Sequence, residues 1–221
     1  METELVDQAE ARWRMVESQL RPNDVTDKRL LAAMGSIPRE SFVDSTRAGL
    51  AYLDLTVPAP GGQRRLSAPM PLAQLIQLAD IGPGERVLDV GAASGYSSAV
   101  LARLAAQVVA VETDATLATF AAGALADLGV TNVTVLTGPY QRAQPHAPFD
   151  AIVLEGVVEE VPAALLDMLS ESGRLVCLLR ENGRTSAHVL VRSGRKAGGY
   201  PEFDATMPDL PGFQRPASFV F

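Results

Sequence analysis

Residues 86–96, RVLDVGAASGY, join a short apolar run to a turn made of small residues. The run has the length and the Val and Leu content of a strand that is buried on both faces. The small residues at positions 91, 92, 93 and 95 allow the backbone to turn sharply into the helical pattern SSAVLARLA. Strand, tight turn and helix in this order are typical of the first unit of a doubly wound α/β sheet.

The same alternation continues along the chain after this unit. QVVAVE, NVTVLT and DAIVLEG are short apolar runs, and DATLATFAAGALADLG and VPAALLDMLS between and after them have helical spacing. Before the unit, apolar residues at helical spacing predict two helices that are separated by a break at residues 21–24. After it, GRLVCLLRE, SAHVLVRSG and the terminal SFVF predict antiparallel strands at one edge. The predicted fold is Rossmann-like, with a mostly parallel sheet, antiparallel edge strands and an N-terminal helical extension.

Composition limits the function. The 221 residues carry a net charge of −7 and are 47% hydrophobic, which is typical of a globular chain and lacks the basic field that binds nucleic acid or an anionic membrane. No apolar run reaches the roughly 20 residues of a membrane span, and a cytoplasmic location is expected. The single cysteine, Cys177, lies in a predicted buried strand. The two histidines, His146 and His188, lack companions at metal-ligand spacing, so no metal site is expected.

The turn after the first strand is a candidate cofactor site. A helix that begins there presents free N–H groups at the carboxyl end of the strand, where such sheets bind ligands. Glu112 ends the second predicted strand, where an acidic side chain accepts hydrogen bonds from ribose hydroxyls. The two features indicate a nucleoside-bearing cofactor; the alternative is a turn that serves packing alone.

The glycine spacing discriminates between cofactors. A dinucleotide turn needs glycines at the positions of Gly91, Ala93 and Tyr96, and only the first is present. The pattern Asp-x-Gly-x-Gly-x-Gly matches at Asp89, Gly91 and Gly95, with Ala93 in the middle, and resembles the S-adenosylmethionine loop of Rossmann-like methyltransferases. The turn and its neighbours are therefore expected to hold S-adenosyl-L-methionine: Asp89, Gly91, Ala92, Ala93, Ser94, Gly95 and Glu112.

The flanking sequence resembles one methyltransferase family. MVESQLRPNDVTDKRLLAAMGSIPRESFVD, AYLDLTVPAPGGQRRLSAP, ERVLDVGAASGYSSAVLARLA, APFDAIVLEG and VPAALLDMLSESGRLV follow one another as in protein-L-isoaspartate O-methyltransferases, from about Met15 to about Val176. The resemblance implies methyl transfer to the free α-carboxylate of L-isoaspartyl residues in damaged proteins or peptides. The ester then cyclises and reopens, partly to normal aspartate.

The resemblance also implies an acceptor site. The family places a serine of a Gln-x-x-Ser-x-Pro segment beside the acceptor, which predicts Ser67 as the catalytic residue and Gln63 and Pro69 as substrate-binding residues. An ionised carboxylate needs no general base, so a hydroxyl that positions it is sufficient. The alternative for Ser67 is a helix N-cap or a turn residue. Asp54, which matches a family acidic position, is expected to be a turn residue.

These assignments give a single domain over residues 1–221. Residues 1–50 are expected to form a helical cap, 51–71 a loop on the acceptor side, 72–194 the core, and 195–221 a tail with an edge strand. The oligomeric state has no signal in the sequence.

Three stretches depart from the family pattern. The segment from Gln63 to Ser67 is one residue longer than usual and carries Arg64 and Arg65, which either recruit an acidic substrate or face solvent. The chain after Val176 has no matching motifs. These differences support one alternative to repair, a methyltransferase with a different small-molecule or protein acceptor. Ala93 and the change at the third strand support a second alternative, a degenerate fold that acts as a binding module.

The remaining departure lies at the third strand, where the family has Gly-Asp-Gly. The present chain has Gly138, Pro139 and Tyr140 instead, so the aspartate that accepts from the adenine amino group is missing. Adenine is expected either to stack on Tyr140 or to be held by backbone groups, which adds Gly138 and Tyr140 to the cofactor residues.

Overall fold

The computed structural model describes residues 7–61, 64–194 and 196–215. Ten strands are present in this part of the chain: β1 Val57–Pro58, β2 Arg65–Leu66, β3 Arg86–Val90, β4 Gln107–Glu112, β5 Val133–Thr137, β6 Phe149–Val158, β7 Leu169–Glu181, β8 Arg184–Ser193, β9 Lys196–Gly198 and β10 Pro201–Asp204. β1 and β2 pair with each other, and the other eight form one sheet in the order β10-β8-β7-β6-β3-β4-β5, with β9 paired to β8.

Six α-helices accompany the strands: α1 Gln8–Met15, α2 Lys28–Ser36, α3 Pro69–Leu78, α4 Tyr96–Ala102, α5 Ala115–Asp127 and α6 Ala163–Leu166. α1 continues through a π turn and a 3₁₀ turn to Asp24, whose left-handed backbone (φ 61°) ends the first helical segment. Asp7, Asp27 and Asp114 cap the starts of α1, α2 and α5 by accepting hydrogen bonds from backbone N–H groups. The predicted pair of N-terminal helices is confirmed.

The sheet is parallel from β5 to β7. β3 pairs with β4 on one side and with β6 on the other, and β6 pairs with β7, all in parallel register. β8 then runs antiparallel to β7, and β9 and β10 run antiparallel to β8. Strand order reverses between β3 and β6, which is the point at which open α/β sheets bind ligands. The predicted Rossmann-like fold with antiparallel edge strands is confirmed.

Two hydrophobic clusters cover the two faces of the sheet. Val87, Val153 and Val157 pack on the face that carries the N-terminal helices, α3 and α4. Leu88, Val90 and Leu154 pack on the opposite face. Cys177 is fully buried in β7, as its sequence context predicts. Within the described residues, no helix is both long and apolar enough to cross a bilayer.

The structure departs from the sequence predictions at several places. α6 has only four residues, because β7 begins soon after it. α3 begins at Pro69, inside the stretch 51–71 that the sequence predicts as a loop. β7 is parallel to β6 and antiparallel only to β8. The predicted edge strand SFVF lies outside the described residues.

A segment of the tail adds to the sheet in an unexpected way. Asp209 bridges in parallel to Val157 near the end of β6. The Leu210 N–H donates to the Val157 carbonyl at 2.9 Å, and the Glu159 N–H donates to the Phe213 carbonyl at 3.0 Å. These bonds fix residues 208–213 beside the carboxyl end of β6, at the edge of the ligand crevice.

Candidate cofactor and acceptor site

The turn after β3 has the conformation that its small residues predict. Gly91 and Gly95 have φ values of 85° and 95°, and Gly95 is the N-cap of α4. A Cβ atom on Gly91 would displace Cδ1 of Leu210, and the positive φ would strain any other residue at this position. Ala93 also has a positive φ, 48°, where the methyltransferase pattern has glycine.

Glu112 lies beside this turn at the end of β4 and is fully buried. Its carboxylate accepts hydrogen bonds from the backbone N–H groups of Ala93, at 2.8 Å, and Asp114, at 3.0 Å. These donors hold the carboxylate at the mouth of the turn, where the sequence predicts contact with ribose hydroxyls. Glu112 is therefore pre-positioned for a nucleoside.

Arg64 occupies the open side of Glu112. Its Nη1 lies 3.1 Å from both carboxylate oxygens of Glu112, and its Nη2 donates to the Gly91 carbonyl at 3.2 Å. The Arg64 side chain is 13% exposed, so the pair is largely shielded from water. Two roles are open for Arg64 and Arg65 from the sequence, recruitment of an acidic substrate or exposure to solvent. Arg65 is exposed and donates to Thr56, whereas Arg64 lies in the crevice.

The crevice beyond Glu112 is mainly apolar. Its walls are formed by β3, β4, the turn after β5 and the tail segment: Val90, Val111, Gly138, Pro139, Tyr140, Leu210, Pro211 and Phe213. The rings of Tyr140 and Phe213 have centroids 5.8 Å apart. In this conformation the cleft has a volume of about 130 Å³, below the roughly 300–1,000 Å³ of typical small-molecule sites, and Arg64 forms part of its lining.

Ser67 lines a second, smaller cavity, which has Gly91 as a common wall with the first. It follows β2 and is buried, and Ala68 rather than Ser67 is the N-cap of α3. The N-cap alternative for Ser67 therefore does not hold. Asp54 provides a hydrogen-bond acceptor for the first turn of this helix instead, because its Oδ1 accepts from the Met70 N–H at 3.0 Å.

Arg39 holds the backbone at Ser67. Its guanidinium is fully buried and donates to the carbonyls of Ala51 and Ser67. It also lies 4.5 Å above the ring of Tyr96, the first residue of α4. Arg39 thus connects the acceptor-side loop to the helix that follows the cofactor turn.

The structure brings most of the predicted site residues together. Gly91, Gly138 and Tyr140 line the larger cleft, and Ser67, Ala92 and Ala93 line the smaller cavity with Gly91. Gln63 lies outside the described residues.

Three predicted residues have other contacts. The Ser94 hydroxyl donates to the Phe42 carbonyl at 2.7 Å, Pro69 is the first residue of α3, and Asp89 is buried behind the turn. Asp89 Oδ2 accepts from the hydroxyls of Ser97, at 2.8 Å, and Ser98, at 2.6 Å. Asp89 therefore supports the turn from behind, and Ser94 ties it to the N-terminal region.

The sequence analysis missed Glu155, Arg39 and the tail residues Leu210 and Phe213. Glu155 is an acidic residue at the carboxyl end of an apolar run, which is the signal that identified Glu112. Arg39 lies in the family-like stretch IPRESFVD, but nothing in a sequence indicates that an arginine is buried. The tail has no periodicity that would place it against the crevice.

The residues present fit the expected cofactor. A buried carboxylate at the end of β4 matches a ribose, and the cleft with Tyr140 and Phe213 matches a flat base. The cavity beyond Gly91 has the polar side chains Ser67, Ser97 and Glu155 in its walls, which match a polar end group, and its volume of about 10 Å³ requires neighbouring side chains to move when that group binds. Asp89 Oδ1 and Glu155 Oε1, two buried oxygens near the turn, have no hydrogen-bond partner. The described residues hold no cluster of three potential metal ligands.

The sequence comparisons identify a family. Residues 11–204 match the model of the family described as Protein-L-isoaspartate(D-aspartate) O-methyltransferase (PCMT). The protein-L-isoaspartate O-methyltransferase of Methylorubrum extorquens (strain PA1) is 43% identical over 190 residues, which cover 86% of this chain and 82% of the relative. That of Koribacter versatilis (strain Ellin345) is 42% identical over 75% of this chain and 74% of the relative.

Solved structures support the same fold. A protein-L-isoaspartate O-methyltransferase superposes with a TM-score of 0.79 at 24% identity, covering 93% of this chain and 66% of that one. A structure from Plasmodium falciparum, described as a putative member of the same enzyme class in complex with S-adenosyl-L-homocysteine, gives a TM-score of 0.76 at 21% identity and covers 90% of this chain and 97% of that one.

Proposed function

The chain belongs to the protein-L-isoaspartate O-methyltransferase family, and from this premise we propose that it methylates the free α-carboxylate of L-isoaspartyl residues in damaged proteins. S-adenosyl-L-methionine supplies the sulfonium methyl group. The acceptor is a protein or peptide, and the methyl ester is the intermediate through which isoaspartate returns partly to aspartate.

One observation carries the proposal: the cavity lined by Ser67 and the cleft beside Glu112 are neighbours and have Gly91 as a common wall. A methyl donor held by its nucleoside at Glu112 would extend past Gly91 towards Ser67. An acceptor held at Ser67 would then face the methyl group of the donor. This arrangement supports a transfer between two bound groups.

The main requirement of this reaction is that the protein positions the carboxylate and the methyl donor. An isoaspartyl carboxylate is already ionised near neutral pH and needs no general base. Ser67 is the residue that we expect to hold this carboxylate, through its hydroxyl, and Arg39 fixes the backbone from which the hydroxyl projects. Correct alignment of two reactants contributes on the order of 7–11 kcal/mol to such reactions.

The remaining residues hold the donor and exclude water. Glu112 is expected to accept from the ribose hydroxyls after Arg64 has moved away, and Tyr140 and Phe213 to contact the base. Leu210 closes the crevice over Gly91. The tail that differs from the family pattern thus has a role in the site as a wall of the cofactor cleft.

Transfer of labelled methyl groups to a pair of peptides tests the proposal. One peptide contains an L-isoaspartyl residue, and its twin contains aspartate at the same position. We expect base-labile label on the isoaspartyl peptide alone, and a loss of about tenfold or more in kcat/KM for Ser67→Ala, which removes one hydrogen bond to a charged group. Equal labelling of the twins, or label on neither, would contradict the proposal.

A further inference from the structure

Glu155 lies at the point where the strand order of the sheet reverses. It follows Leu154 in β6, which pairs with Val90 at the end of β3. Ligands of open α/β sheets bind outside the carboxyl ends of the two strands that flank such a point. Glu155 therefore occupies a position from which a side chain reaches a ligand directly.

Glu155 and Asp89 lie on the same face of the sheet. Asp89 pairs with Val153 in parallel register, and side chains two residues apart on a strand point to the same face. The two carboxyl groups therefore approach the cavity that contains Ser67 from neighbouring strands. Glu155 lines this cavity, and Asp89 lies behind Ser97, which lines it as well.

Both carboxyl groups have an oxygen that nothing in the described structure satisfies. Glu155 Oε1 and Asp89 Oδ1 are buried and make no hydrogen bond. A buried acceptor without a donor costs about 1–3 kcal/mol, and more when it is charged. These two oxygens, one in the cavity wall at Glu155 and one behind that wall at Asp89, match a ligand group that carries several N–H donors and a positive charge.

The charge of the site favours a cation at Glu155. Burial raises the pKa of Glu155 well above its ordinary value, and repulsion from Asp89 raises it further, against opposing contributions from Ser97, Arg64 and Arg39. Without a cation, the two acids cannot both ionise at low cost. The other polar or charged groups that face Glu155 come from three elements: Tyr96 and Ser97 of α4, Arg39 of the turn after α2, and Arg64 and Arg65 before α3.

We propose that Glu155 binds the α-ammonium group of the cofactor's amino-acid end, with Asp89 as the second carboxylate beside it. The inference rests on the proposed function, since it assumes that the cleft at Glu112 takes the nucleoside end of the same cofactor. On binding, the Glu155 carboxyl group releases its proton to solvent and forms an ion pair with the ammonium group, which remains protonated. Cofactor binding is thereby coupled to proton release.

Calorimetric binding of two ligands tests this role without turnover. S-adenosyl-L-homocysteine carries the ammonium group, whereas 5′-methylthioadenosine retains the nucleoside and lacks the amino-acid end. We expect Glu155→Gln to weaken the binding of S-adenosyl-L-homocysteine by about tenfold or more, because this ligand loses a charged partner. The affinity for 5′-methylthioadenosine should stay unchanged. Glu160→Gln, which changes an exposed carboxylate five residues further along, is the matched control.

Titrations in two buffers of different ionisation enthalpy measure the coupled proton. Near neutral pH, the unmodified protein should release up to one proton with S-adenosyl-L-homocysteine and essentially none with 5′-methylthioadenosine. Its affinity for the former should rise with pH, since an ionised Glu155 no longer has to lose a proton. Glu155→Gln should show weaker binding, a flat pH profile and no proton release.

Several results would overturn the assignment. Unchanged S-adenosyl-L-homocysteine affinity in Glu155→Gln, or equal weakening of both ligands, would exclude a specific ammonium contact. A variant that binds both ligands normally but binds the isoaspartyl peptide more weakly would place Glu155 in the acceptor site instead. If the unmodified protein binds neither ligand, the result would contradict both the proposed function and this inference.

Discussion

Removal of the Arg64 side chain should strengthen cofactor binding. The Nη1 of Arg64 donates to both carboxylate oxygens of Glu112, and its Nη2 donates to the Gly91 carbonyl. A ribose that bonds to Glu112 must first displace this guanidinium. In the variant Arg64→Ala the carboxylate remains held by the N–H groups of Ala93 and Asp114, so its position should persist.

The magnitude follows from the contacts that are lost. Hydrogen bonds to charged groups contribute about 1.5–3 kcal/mol each to stability. If displacement costs one such bond, Arg64→Ala should lower the dissociation constant of S-adenosyl-L-homocysteine by about tenfold to a hundredfold. The ligand-free protein should become less stable by about 1–3 kcal/mol, because fully buried Glu112 loses a hydrogen-bond donor but keeps the N–H groups of Ala93 and Asp114.

Isothermal titration calorimetry and thermal unfolding measure the two effects. Arg184→Ala is the control, because the Arg184 side chain is 80% exposed and pairs with Asp204, away from both cavities. It should leave the affinity unchanged. Equal or weaker binding by Arg64→Ala would refute the conclusion that Arg64 competes with the ribose, and would instead indicate that Arg64 contacts the bound cofactor.

Three further changes have defined outcomes. Ala93→Gly should raise the free energy of unfolding by about 1 kcal/mol and the Tm by about 2–4 °C, because alanine is strained at φ 48°; a lower Tm would be inconsistent with strain. Phe213→Ala should weaken the binding of both S-adenosyl-L-homocysteine and 5′-methylthioadenosine by about threefold to tenfold in calorimetry, because the ring lines the nucleoside cleft. Weaker binding of only one ligand would disprove that placement. Burial raises the pKa of Asp89 to about 6, so its folded-state carboxyl ionises later than in the unfolded chain and stability falls as pH rises from about 4 to about 6. Urea unfolding should show that Asp89→Asn reduces this decline, to which Glu155 also contributes, and an unaltered pH profile would count against the prediction.

The sequence predicts the sheet well because its physical signal is local. β3, β4 and β6 are buried on both faces, so their continuous apolar runs are visible without any knowledge of their partners. The positive φ values of Gly91 and Gly95 are likewise a property of single residues. The sequence also predicts the antiparallel edge of the sheet. The outermost strand on the β8 side is β10, however, which is not among the predicted strands.

The contents of the crevice depend on contacts between distant residues. Arg64 and Glu112 meet only after β1 and β2 have placed the acceptor-side loop over the turn. Leu210 and Phe213 reach the site through backbone bonds to β6, which leave no periodic pattern in the tail. Such contacts are properties of the assembled fold.

Glu155 illustrates a different limit. An acidic residue at the end of a buried strand is the same signal that identifies Glu112. For Glu155, however, the surrounding stretch matches the family pattern and is explained by the strand alone. Its importance appears only in three dimensions, where an unpartnered oxygen and the nearby Asp89 lie at the ligand crevice.

Conversion of an isoaspartyl peptide tests the central claim most directly. The peptide is incubated with the protein and S-adenosyl-L-methionine through repeated cycles of methylation and spontaneous ester loss, and the isoaspartyl and aspartyl forms are separated chromatographically. The account predicts that the aspartyl form accumulates only when both protein and methyl donor are present, and that Ser67→Ala slows its appearance. A peptide that stays in the isoaspartyl form, while the protein still binds S-adenosyl-L-homocysteine, would contradict the assignment of repair activity.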